Sequence, residues 1–249
     1  MPSTPSRFTG GVSDYENGNA GIGQSYPTLD PARFARFFDD FNTFSLTDWV
    51  QTVVGTGTVN TAKQTGAHGG TLVLVNSAAD DDAINLQQGG KAAGAVAAAD
   101  QVAENFKFTS GKKAWLRARF KISDATQSDL LIGLAITDTS LTQSLPSDGV
   151  FFNKVDGGTI LLANVRAGGT SSTITMTSSM ANDTYYTCEL YYDGNTTFHA
   201  YLNGVQVGGD LTSVANLTTE FLAVSMSVSN GEAVAKTMTV DWLDVVMER

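Results

Sequence analysis

An all-β chain folded as a two-sheet antiparallel sandwich is what this sequence predicts, and three observations carry the prediction. Between Tyr185 and Val207, apolar Tyr186, Cys188, Leu190 and Tyr192 alternate with polar Thr187 and Glu189, and Phe198, Ala200 and Leu202 alternate with Thr197 and His199. A period of two marks a strand with one buried face. Asp193-Gly194 separates these runs and Asn203-Gly204 follows them. Both dipeptides tolerate the positive φ angles of tight reversals between antiparallel strands. Short segments of the same character recur along the rest of the chain without intervening helical periodicity, which indicates two stacked antiparallel sheets.

Two regimes divide the chain. Residues 1–33 hold four of the five prolines (Pro2, Pro5, Pro27, Pro31) among many Gly, Ser and Asn, a mixture that buries too little surface to offset the entropy of ordering. They are expected to form an extended N-terminal arm preceding a β-sandwich domain at 34–249. The arm nonetheless carries Arg7, Phe8, Tyr15, Ile22 and Tyr26, more aromatic and apolar than a Gly/Ser linker, and these are the candidate partner-binding residues.

Strand signals then follow in order at 37–41, 49–54, 71–75, 102–108, 114–122, 130–137, 150–155, 160–166 and 173–177, with the pair already described and two more at 221–228 and 238–246. In 114–122 Leu116, Ala118, Phe120 and Ile122 share one face and Arg117, Arg119 and Lys121 the other, so this sheet is expected to have a wet side. Cys188, Phe120, Leu202 and Trp242 are expected in the core. The Ala- and Gly-rich stretch 89–99 fits no strand; it is expected to be a loop insertion with at most one helical turn.

Composition narrows the partners. With 249 residues, 42% of them hydrophobic, the chain can bury one sizeable core. Fifteen basic against 25 acidic residues give a net charge of -10 and no footprint for gripping phosphate backbones, so nucleic acid is excluded as a partner. Cys188, the single cysteine, is expected to be a small buried hydrophobe. The polar N-terminal sequence has no apolar stretch typical of a secretory signal, and no run of ~18 apolar residues predicts a membrane span. Synthesis in a cytoplasm is expected, and the sequons at Asn182, Asn195 and Asn216 are read as chance.

The chemistry-bearing residues do not form a recognisable constellation. His68 and His199 lie 131 positions apart, with no G-x-S-x-G elbow between or beside them. One cysteine and two histidines serve zinc poorly. Asp80-Asp81-Asp82 offers oxygen to calcium but lacks EF-hand spacing and is expected to be a solvated turn. Gly55-x-Gly57 lacks the third glycine and helix of a dinucleotide site. No Glu-x-Asp-x-Glu string supplies the paired carboxylates of a sandwich glycosidase, and strand phase puts Asp241 and Asp244 on opposite faces. The expectation is therefore no catalytic residue, no metal and no cofactor. Tyr185, Tyr191 and Tyr201 share the outward phase, and as a platform for sugar rings they define the alternative reading, a carbohydrate-binding lectin-like module.

Phe38-Asp39-Asp40-Phe41 followed by Trp49, Tyr191-Tyr192-Asp193-Gly194, Tyr201-Leu202-Asn203-Gly204-Val205 and Val240-Asp241-Trp242 resemble the concanavalin A-like and laminin G-like jelly-roll sandwich over about residues 37–249. That fold hosts lectins, enzymes and structural proteins. More specifically, the Pro5-Ser6-Arg7-Phe8 start, the segment Lys121-Ile122-Ser123-Asp124-Ala125-Thr126-Gln127-Ser128-Asp129, the turn Asn230-Gly231-Glu232-Ala233 and the closing Glu248-Arg249 are similar to head decoration, or cement, proteins of tailed bacteriophages. The resemblance implies a virion structural protein on the outer capsid surface, made in the bacterial host cytoplasm. Its implied partners are the major capsid protein and other copies of itself, as a homotrimer.

Overall fold

The structure, a computed structural model, describes residues 31–62, 69–91 and 100–249; the arm candidates Arg7, Phe8, Tyr15, Ile22 and Tyr26, together with His68 and residues 92–99, lie outside them. Sixteen strands follow one another: β1 (Phe34–Asp39), β2 (Trp49–Val54), β3 (Gly57–Thr61), β4 (Leu72–Asn76), β5 (Ala83–Lys91), β6 (Asp100–Val102), β7 (Ala114–Ile122), β8 (Ser128–Ala135), β9 (Gly149–Lys154), β10 (Leu161–Ala167), β11 (Thr170–Thr177), β12 (Tyr186–Tyr192), β13 (Phe198–Leu202), β14 (Val205–Leu211), β15 (Ala223–Asn230) and β16 (Thr237–Glu248). The only helical feature among the described residues is a single 3-10 turn, Leu46–Asp48.

The strands form two eight-stranded antiparallel sheets. The first has the order β14-β13-β12-β7-β16-β4-β3, and β1 also pairs with β16. The length of β16 allows this: Thr237–Val240 pair with β4 and Leu243–Glu248 pair with β1. The second has the order β11-β10-β9-β8-β15-β5-β2, with β6 on the end of β5. One continuous core lies between them, with Leu116, Ala118, Phe120 and Ile122 of β7 facing Leu130, Ile132 and Leu134 of β8 and their neighbours, all buried. Each such side chain contributes about 1.5–3 kcal/mol through burial. Asn203 and Gly204 turn the chain between β13 and β14 at φ 51° and 80°, the two consecutive positive values that a type I′ hairpin requires.

Several expectations are corrected. Strands β3 and β5 were not foreseen, and of the 102–108 segment only its first residue belongs to a strand, with Phe106 making an isolated bridge to Leu222. Gly89 and Gly90 are ladder residues of β5 pairing with β6, not loop. A Cβ on Gly89 would sit 2.2 Å from the Gln101 carbonyl oxygen, so this close approach of backbones needs glycine. Asp82 is buried against the Ser77 hydroxyl, while only Asp80 and Asp81 face solvent. Leu202 is half-buried, and Trp242 lies on the outer face under the Arg117 guanidinium. An irregularity between Val240 and Trp242 shifts the register of β16 against β7. With that extra residue, Asp241 and Asp244 both reach outer-face arginines, Arg119 and Arg36, instead of pointing to opposite faces.

The second sheet is not wet on its outer side. Residues 136–148 run across it as a strap. Asn85 of β5 accepts from the Leu141 amide and the Ser227 hydroxyl and donates to the Thr139 carbonyl; Gln87 donates to the Ile136 carbonyl and accepts from the Asp138 amide. Leu141 packs with Leu131, Ala135 and Phe151 beneath the strap.

Candidate functional site

The outward tyrosines do not make an open platform. Tyr201 is only 5% exposed, and Tyr185 lies beneath Arg119 and Lys121. Tyr191 is sandwiched in a ladder across three strands, 5.3 Å from the Trp115 ring on β7 and 5.7 Å from His199 on β13. His199 is held in turn by Asp210 at 2.7 Å. These rings close the outer face, and alternate with the ion pairs Arg36–Asp244, Arg117–Glu189 and Arg119–Asp241. Cys188 is buried as expected, and burial pushes its thiol far above the ordinary value, so it is no nucleophile. Among the described residues no group of three or more His, Cys, Asp or Glu converges on a point where a metal ion would sit.

A concave site exists elsewhere, between β1 and β5. Phe37, on the inner side of β1, meets Trp49 at the start of β2 edge to face, with ring centroids 6.0 Å apart and planes at 90°; Phe44 lies 6.4 Å from the same indole. These rings and Asp39, Thr43, Ser45, Asp48 and Gln88 line a recess of about 310 Å³. A second recess of about 370 Å³, lined by Ala35, Arg36, Phe37, Gln88, Asn105, Phe106 and Arg249, adjoins it through Phe37 and Gln88. Both volumes fall in the range of small-ligand sites.

Local sequence shapes the first recess. Phe41 is buried at φ 50°, a left-handed conformation that is costly for a large side chain, and Gly70 makes room for it: a Cβ there would lie 1.8 Å from the Phe41 carbonyl oxygen. Asp39 fixes the turn by accepting the Phe41 amide at 2.7 Å. Ser45 caps the 3-10 turn, accepting from the Thr47 amide at 3.2 Å, and so presents Asp48 beside Trp49. Burial raises the Asp39 carboxyl above its usual range, with the neighbouring Asp40 and Asp48 charges adding to the effect and the Phe41 amide opposing it. Gln88 lines both recesses, and its side-chain oxygen is buried with no hydrogen-bond partner among the described residues. The crowding of Phe37, Phe38, Phe41, Phe44 and Trp49 with Asp39, Asp40 and Asp48 was visible in the sequence; Gln88, Asn105 and Arg249 carry no comparable signal.

No family model and no curated protein sequence matches the chain. Solved structures do. A protein of unknown function from Shewanella oneidensis MR-1 superposes with a TM-score of 0.58 at 15% identity, over 94% of this chain and 97% of that one. The carbohydrate recognition domain of Emp47p gives 0.55 at 11% identity, over 88% and 98%. The cellulose-induced protein Cip1 gives 0.50 at 13%, over 84% and 96%. At these identities the likeness is one of fold: the chain has the two-sheet jelly-roll sandwich that lectin-like domains share.

Proposed function

We propose that this chain is a non-enzymatic binding protein, a lectin-like module that takes a carbohydrate in the recess beside Trp49. The observation that supports this is the meeting of aromatic rings with hydrogen-bonding groups in one pocket. Phe44 and Phe37 offer apolar surface to the C–H face of a sugar ring, and Asp48, Ser45, Thr43 and Gln88 complement its hydroxyls. The likeness to a domain named for carbohydrate recognition supports it by fold analogy. Glycan-array screening followed by calorimetry tests the reading: Phe44→Ala and Asp48→Asn should each weaken binding about tenfold, or ~1.4 kcal/mol, with melting curves confirming that both variants stay folded at the assay temperature. The bound sugar should be recovered intact. Absence of binding across the array, or variants that bind like the parent, would rule the recess out.

A second reading, head decoration of a tailed bacteriophage, is supported by a different observation. Two of the segments similar to such proteins, residues 121–129 and 230–233, meet at one end of the sandwich. The Gly231 amide donates to the Gln127 carbonyl at 3.0 Å, and Lys236 joins Asp124 at 2.8 Å to Glu232 at 2.5 Å. Val155 and Val234, 54% and 52% exposed, give this end apolar surface for adhesion. In this reading the capsid subunit and sister copies in a trimer are the partners, and Arg7, Phe8, Tyr15, Ile22 and Tyr26 of the arm anchor the protein, gaining through avidity. Deleting residues 1–30 should abolish stable attachment to undecorated heads in a co-sedimentation assay. If the truncated protein attaches as tightly as the full chain, the arm is not the anchor.

A further inference from the structure

We propose that the cleft continues past Phe37 into an acid-recognising half, and that its ligand is an acidic oligosaccharide with a carboxylate-bearing ring set against Arg249. This rests on the carbohydrate reading of the first recess. The two adjoining recesses share Phe37 and Gln88 but differ in the chemistry of their polar groups. The Asp39 and Asp48 side presents acceptors, suited to hydroxyl donors. The other side is lined by Arg249, Asn105 and Arg36, residues whose side chains carry donors.

The two arginines are not equivalent. Arg36 is matched by Asp244, at 2.9 and 3.3 Å, and lies over the Phe38 ring. Arg249 gives its Nε to the Phe34 carbonyl at 3.1 Å, which fixes the guanidinium at the cleft, and among the described residues its Nη atoms donate no hydrogen bond. A planar fork held at one nitrogen, with no described residue on the other two, is suited to a carboxylate. The chain's net charge of -10 opposes anions at long range, so any preference for an acidic sugar must come from this local pairing. A ligand spanning both recesses would place its apolar ring face at Phe37, donate hydroxyls toward Asp39 and Asp48, and direct its carboxylate to Arg249.

The test compares tetragalacturonate and tetramannuronate with their methyl esters, which keep the sugar and remove the charge, by calorimetry on the full chain. At least one acid should bind about tenfold more tightly than its ester. Arg249→Gln should bring that ratio close to one, and Arg249→Lys should retain part of it, with melting curves confirming that both variants fold. Acid and ester binding equally to the parent protein, or a preference that survives Arg249→Gln, overturns the acid-recognising half and leaves carbohydrate binding standing. No binding of either form, together with a blank glycan array, overturns both.

Discussion

Lys154 brings an ammonium into the interior at the end of β9, where it donates to the backbone carbonyl oxygens of Thr126, at 3.0 Å, and Ser128. Burial lowers its pKa from 10.5 to about 8, against the opposing pull of Asp129 and Asp156. The folded value lies below the unfolded one, so between about pH 8 and pH 10.5 the unfolded chain binds more protons and stability rises with pH. Below pH 8 the full cost of the buried charge is present. The neutral amine keeps both hydrogen bonds. Thermal unfolding at pH 7 and pH 9.5 should therefore show roughly 1–3 kcal/mol of relative gain that a Lys154→Met variant lacks; equal slopes for the two proteins would refute the assignment. Cys188 provides a second check on the core. Buried, with its thiol pushed up, it should resist a thiol reagent in the native protein at pH 8 and react at once in denaturant.

At the scale of elements, the strap 136–148 has the clearest energetic consequence. Replacing Asn85 with Ala strands the buried Leu141 amide and leaves the Ser227 hydroxyl with Thr142 alone, and should cost about 1–3 kcal/mol. It should also open the strap to proteolysis well before global unfolding; a variant with unchanged melting and unchanged protease resistance would show that the strap is held by Leu141 packing alone. The same strap explains which elements were legible in the sequence. Hairpin β12–β13 and the core face of β7 announce themselves, because one side of each strand differs in polarity from the other and Asn203-Gly204 marks a turn. β15 was legible as a strand, at 221–228, but the burial of its polar side was not: Ser225, Ser227 and Ser229 look solvent-facing yet are fully buried, Ser227 meeting Thr142 of the strap, 85 residues earlier, while Ser225 accepts from Gln87 and Ser229 donates to Asp129. β5 alternates Ile84 and Leu86 with Asn85 and Gln87, but its polar side is satisfied by the strap and its Gly89-Gly90 end resembles a turn. The cleft was hidden for a related reason. Its aromatic wall at Phe37–Trp49 is local, whereas its opposite side comes from Gln88, Asn105 and Arg249, which only the sheet topology brings near.

For the molecule as a whole, acid stability depends on how the ends of the sandwich are clamped. Lys236, buried at the start of β16, ties Asp124 after β7 to Glu232 after β15, and so joins the two sheets across one end. The hydrogen bond from Lys236 holds the Asp124 carboxyl down at about 2, against its ordinary 3.8, with the amides of Gln127 and Thr126 assisting and burial opposing. Asp193 is also lowered: burial raises it, but the Thr197, Asn195 and Thr196 amides prevail. Each such group contributes stability that is complete above the unfolded value and is lost as pH falls through the folded one. Asp129 works in reverse, raised by burial despite the Asp156 amide and the Ser229 hydroxyl, and so recovers part of that loss. The clamp should dominate, because its loss leaves a buried ammonium without one of its two partners. Stability should hold from neutral pH to about pH 4 and decline toward pH 2, with Asp124 supplying about 1–2 kcal/mol of the decline after allowance for its partial exposure. Asp124→Asn should melt earlier than the parent at pH 7 and lose less on acidification, so that the two melting curves converge near pH 2; curves that stay parallel from pH 7 to pH 2 would place the acid-labile contact elsewhere.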